Sequence, residues 1–149
     1  MNSICRTISP IFTLFISLTA AANDSEKLMQ TADIFAACSG KYEALAIQFE
    51  KENMPKEIID NFKGNMRGAK LASAVMIKAA RNEAKNPQEY FPYIESIAYP
   101  HQQKLALSFL DPSIQLETVL TVDMAECTNL NPLQAKIIND LRKQEHLNK

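Results

Sequence analysis

Residues 53–85 read NMPKEIIDNFKGNMRGAKLASAVMIKAARNEAK, and this stretch decides the fold class. Ile59, Phe62, Met66, Ala69, Ser73, Met76 and Ala80 step by three and four, the spacing of one helical face. Such a repeat suits a bundle with shallow crossing angles. Lys56, Lys63, Lys70, Lys78 and Arg81 populate the other faces. Asn53 is the expected N-cap, and Pro55 suits the first turn. Pro87 disfavours helical geometry at Asn86, so the helix is expected to stop near Lys85.

Upstream, Leu28, Phe35, Tyr42 and Phe49 recur every seven residues, and Cys38 and Leu45 complete the stripe. The pattern predicts a helix from about Asp24 to Lys51, with Asn23, Asp24 and Ser25 as candidate caps. Gly40 sits near its middle, where it weakens a helix by about 1 kcal/mol relative to Ala. A close neighbour is the expected reason for it.

Downstream, Asn86-Pro87, Asp111-Pro112 and Asn131-Pro132 each place a capping side chain before a proline, a helix-start pattern. Asn86 to Glu89 and Asn131 to Gln134 also have capping-box spacing. Pro92 and Pro100 predict a kinked or split element running from Pro87 to Leu110. Residues 114–124 fit both strand alternation and a helical stripe. The Asp-Pro start and the helical surroundings favour the helix, because a lone strand has no partner. A last helix is expected from Pro132 to Gln144, with Leu133, Ile137, Ile138 and Leu141 on one face, and Arg142 to Lys149 are expected to fray. The expected fold is an all-α, single-domain bundle of four to five helices over residues 23–149, with one disulfide.

Met1 to Ala22 reads as a cleaved signal peptide: Arg6, then an apolar stretch around Ile11, Phe12, Leu14, Phe15 and Ile16, then Ala20-Ala21-Ala22 for the peptidase. The apolar run is shorter than the roughly 20 residues that span a bilayer, and no span is expected in the mature chain. The expected location is therefore secreted or periplasmic. Cys5 leaves with the leader, so Cys38 and Cys127 form an even pair in an oxidising compartment. A bridge closing a loop of about 90 residues is worth roughly 4–5 kcal/mol in the chain-entropy model.

The chain has 149 residues, 46% hydrophobic and 22% charged, with formal net charge −1. That composition excludes a disordered chain and offers no basic excess for nucleic acid. The only histidines, His101 and His146, lie far apart, and no Gly-x-Ser-x-Gly turn is present. With both thiols expected to be oxidised, no metal shell of the usual spacing can be assembled. Catalytic residues, metal and cofactor are therefore expected to be none, and the protein is expected not to be an enzyme.

Two features carry interaction potential. Gly64-x-x-x-Gly68 lets another helix approach closely, either inside the bundle or as a homodimer face. Tyr90, Phe91, Tyr93, Tyr99 and His101 lie in the proline-broken segment and form the preferred partner contact, because tyrosine buries area at low entropy cost.

Cys38-Ser39-Gly40-Lys41-Tyr42 on a first helix, a second helix rich in small residues and a late Cys127 resemble small secreted bacterial all-helical proteins with one disulfide, a group without an assigned function. The resemblance implies a periplasmic, disulfide-bridged all-α domain and brings no catalytic residues with it. The expected function is a secreted, non-enzymatic interaction protein that presents a rigid helical surface to a protein partner. The alternatives are an inhibitor or immunity protein that blocks a secreted enzyme, and a small-ligand carrier with a cavity between helices near Phe62, Met66 and Met76.

Overall fold

A computed structural model describes residues 11–147, with side chains placed over residues 24–143. The first ten residues of the expected leader lie outside the described part. Five α-helices and no strand are found among the described residues. They are α1 (Ile11–Lys51), α2 (Lys56–Arg81), α3 (Phe91–Ser108), α4 (Leu116–Thr118) and α5 (Ala125–Leu147). A 3-10 turn (Pro87–Tyr90) precedes α3, and α4 continues as a π turn (Val119–Asp123).

The α1 and α2 helices form an antiparallel hairpin. Near one end the Ser25 hydroxyl donates to the Ala80 carbonyl at 2.8 Å. Near the other, Lys63 pairs with Glu50. The heptad stripe of α1 points into the core, where Phe35, Cys38, Tyr42, Leu45 and Phe49 are buried. Ala69, Ala72 and Ile77 meet them from α2, and Ile94 and Leu105 from α3. The α5 helix lies mainly on α2 and touches α1 more lightly.

Several boundaries differ from the sequence expectation. The α1 helix is continuous from Ile11, so Asn23, Asp24 and Ser25 lie inside it rather than at its start. Asn53 terminates α1 instead of starting α2. Its φ is +54°, its amide donates to the Glu50 carbonyl, and the Met54 amide donates to Phe49. Asn82 repeats this geometry with φ +50° and ends α2 at Arg81, ahead of Lys85. Asparagine tolerates the left-handed conformation that closes a helix in this way, so Asn53, expected as a cap, and Asn82, inside the expected helix, both act as stops.

The prolines also separate into different roles. Asn86 caps as expected: its side chain accepts from the Gln88 amide at 3.1 Å, and Glu89 accepts from the Asn86 amide at 2.9 Å. The expected split falls between the 3-10 turn and α3, while Pro100 sits inside an uninterrupted α3. Asp111 does not start a helix. Its carboxylate accepts from the Ser113 amide and hydroxyl, and α4 begins only at Leu116. Pro132 does not start the last helix either, because α5 begins at Ala125 and runs through it to Leu147, beyond the expected end at Gln144. Met124 and Cys127 are buried and anchor the first turn of α5 upstream of Pro132. The helical reading of residues 114–124 holds over Leu116–Asp123, while Ile114 and Gln115 precede the first helical turn.

Candidate functional site

The motif Cys38-Ser39-Gly40-Lys41-Tyr42 is the hub of the bundle: four of its residues meet other elements, while the Ser39 hydroxyl donates to the Ala36 carbonyl within α1. Cys38 is bridged to Cys127, 89 residues away, with the two Cα atoms 5.5 Å apart. Gly40 lies against the backbone of Ala98: a Cβ there would stand 2.8 Å from the Ala98 carbonyl carbon. The Lys41 ammonium donates to the Asp123 carbonyl at 2.8 Å. The Tyr42 hydroxyl donates to the Asn131 side-chain oxygen at 3.1 Å, and burial pushes its ionisation upward. One turn of α1 thereby positions α3, the π turn and α5.

Because Gly40 seats α3 directly on α1, each flank of α3 leaves a depression. On the α2 side, Glu95, Tyr99 and Gln102 overhang a cleft of about 340 Å³. Ser39 and Glu43 of α1 and Met66 and Lys70 of α2 complete it. Lys70 pairs there with Glu95 and lies 4.7 Å from the centroid of the Phe91 ring. On the other flank, Lys41, His101 and Lys104 converge on a notch of about 190 Å³. Leu105, Ser108 and Asp123 line the rest of it.

The five aromatic-segment residues do not form one surface. Tyr90 is only 4% exposed. Its hydroxyl donates to Glu83 at 2.8 Å, and burial together with that carboxylate raises its ionisation. Lys85, then Tyr90, hydrogen-bond the Glu83 carboxylate and hold it below the usual carboxylate range. Phe91 is half-buried beneath Lys70. Tyr93 donates to Asp33 at 3.0 Å and shares the Arg81 guanidinium with Tyr90, at 5.6 and 5.9 Å from the two ring centroids. These three rings fasten the start of α3 to α1 and to the end of α2. Tyr99 is 61% exposed and overhangs the cleft, while His101 lies in the notch on the opposite flank.

Gly64 and Gly68 likewise part company. A Cβ at Gly68 would reach Gln134 and Ile138, the latter at 3.2 Å, so this glycine seats α5. Gly64 is exposed and has open space around it. Met66 reaches the cleft, but Phe62 is engaged with Phe49 and Tyr42, and Met76 is buried. Among the described residues no group of three His, Cys, Asp or Glu side chains could hold a metal ion.

The sequence reading did not single out the apolar side chains left in water at the end of α3 and beyond it. Leu107 is 63% exposed, Leu110 77% and Val122 67%. Ile114 and Leu120, between them in the chain, are exposed too. Their signal in the sequence was faint, since residues 107–122 hold enough aliphatic side chains to look like ordinary core. No family model, curated protein or solved structure matches the chain.

Proposed function

We propose that the protein is exported, loses Met1 to Ala22, and acts outside the cytoplasm as a non-enzymatic interaction protein presenting a rigid helical surface. The disulfide supports an oxidising compartment. Among the described residues no helix is long and apolar enough to cross a membrane. The observation that carries the interaction reading is the exposure of Leu107, Leu110 and Val122. Leaving aliphatic area in water forgoes about 25 cal/mol per Å², and a run of such residues marks a surface that another molecule covers. We therefore propose residues 107–122, rather than Tyr90, Phe91 and Tyr93, as the contact surface. An inhibitor or immunity protein is the special case in which the partner is a secreted enzyme.

The test is affinity capture from the exported fraction of the native cell, using the processed protein and its L107S/L110S/V122S variant. The expected result is a partner retained by the wild type and lost from the variant, with the melting temperature of the variant unchanged. Identical captured material from the two proteins would overturn the reading.

A further inference from the structure

The apolar run adjoins a second, differently charged feature. Lys41, His101 and Lys104 line the notch beside the π turn. Among the described residues none of the three has a carboxylate partner within 4.0 Å. Elsewhere Lys63, Lys70 and Lys85 are paired with Glu50, Glu95 and Glu83. Lys41 and Lys104 outnumber Asp123, the one acidic residue among the described residues lining the notch. Lys41 keeps donor capacity after binding the Asp123 carbonyl, because an ammonium has three N–H groups. Leu107 follows Lys104 by about one helical turn, Leu110 is bonded back to Leu107 through its amide, and Val122 precedes Asp123. Along α3 and just past its end, the bases His101 and Lys104 are thus followed by the exposed Leu107 and Leu110, and Val122 adjoins Asp123 of the notch lining.

We infer that this rim docks a protein segment carrying carboxylates beside aliphatic side chains. Lys41, His101 and Lys104 receive the carboxylates, and Leu107, Leu110 and Val122 receive the aliphatic groups. A neutral or basic segment would leave the bases desolvated and unpaired, which costs more than the apolar contact returns. A nucleic acid would satisfy the bases but leave the leucines uncovered. The surface is held in place before binding: Val119 is fully buried, Lys41 ties down Asp123, and Cys127 is bridged to α1. Such preorganisation lowers the cost of association.

This inference rests on the interaction reading and specifies the chemistry of its partner. The experiment is an NMR titration of the processed, oxidised protein with the hexapeptide Glu-Leu-Glu-Glu-Leu-Glu, its Gln-for-Glu counterpart, and inorganic phosphate. The acidic peptide is expected to shift the amides of Lys41, Lys104, Leu107 and Val122 saturably. The Gln peptide and the Lys104→Ala variant should each bind at least about tenfold more weakly, and added salt should weaken the acidic peptide further. Lys104 is exposed, so its replacement leaves the fold intact. Equal binding of the two peptides would overturn the acidic class while leaving the interaction reading standing. Saturation of the same shifts by phosphate, with no response at Leu107 or Val122 to the peptide, would reduce the notch to a small-anion site. No saturable shift with any probe would overturn the inference, whereas the interaction reading falls only with the capture experiment.

Discussion

The backbone of Ala98 occupies the space that a side chain at Gly40 would need. A Cβ at position 40 would lie 2.8 Å from the Ala98 carbonyl carbon and 3.1 Å from its Cα. The neighbour is main chain in the middle of α3 and cannot rotate away, so α3 as a whole would have to move off α1.

Gly40→Ala is therefore expected to destabilise the protein by about 1–3 kcal/mol, even though alanine is the better helix former by about 1 kcal/mol. Gly64 is the control, because nothing lies within 4 Å of its hypothetical Cβ. Gly64→Ala is expected to stabilise by about 0.5–1 kcal/mol. Urea denaturation of the two variants checks both signs, and equal effects would show that the α1–α3 approach is not as close as described.

Reduction of the Cys38–Cys127 bridge is expected to cost about 2–5 kcal/mol. Alkylation followed by intact-mass measurement should find no reactive thiol in the processed protein until a reductant is added. Two labelled thiols in the untreated protein would contradict the bridge. The paired Cys38→Ser and Cys127→Ser variant should also loosen the π turn, seen as faster amide exchange over residues 116–124 than over α2.

Asn82 holds a left-handed conformation, with φ +50°, at the end of α2. Asn82→Gly should match or slightly exceed the wild-type stability, because glycine adopts that region freely. Asn82→Val should lose about 1–2 kcal/mol, because a β-branched side chain is strained there. Melting temperatures decide the matter, and a neutral valine variant would mean that the stop lies elsewhere.

Burial raises the ionisation of the Tyr42 hydroxyl above its usual value of 10.0, and Tyr90 and Tyr93 shift the same way. The unfolded chain then releases these protons at lower pH than the folded one. Their contribution to stability is fully present below about pH 10 and is lost as pH rises further. Glu83 is shifted the opposite way by Lys85 and Tyr90, so its contribution is present above the ordinary carboxylate range and fades as pH falls through it. Denaturation midpoints measured across pH should show both limbs. Tyr42→Phe should flatten the alkaline limb and cost about 1 kcal/mol at neutral pH through loss of the Asn131 bond.

By itself the sequence determined what is local or countable. The stripe Phe35, Cys38, Tyr42, Leu45, Phe49 is a property of helical periodicity, and it is buried as that periodicity requires. The Asn86–Glu89 capping box closes within four residues and forms as read. With Cys5 assigned to the expected leader, one cysteine pair permits one connectivity, and that bridge is present. The reason for Gly40 was also legible in kind, though not the identity of Ala98 as its neighbour.

Only the tertiary structure decided which of several locally acceptable roles each ambiguous residue takes. Asn53 and Asn131 are both plausible caps by sequence. Packing makes one a left-handed stop and gives the other to the Tyr42 hydroxyl inside α5. Tyr90, Phe91 and Tyr93 read like an open aromatic patch until Arg81, Lys70, Glu83 and Asp33 arrive from other helices to engage them. The notch of Lys41, His101 and Lys104 joins α1, α3 and the π turn, and no spacing in the chain encodes it. Helix formation and capping are settled by neighbours a few residues apart, whereas burial and the meeting of distant charges depend on how whole helices pack.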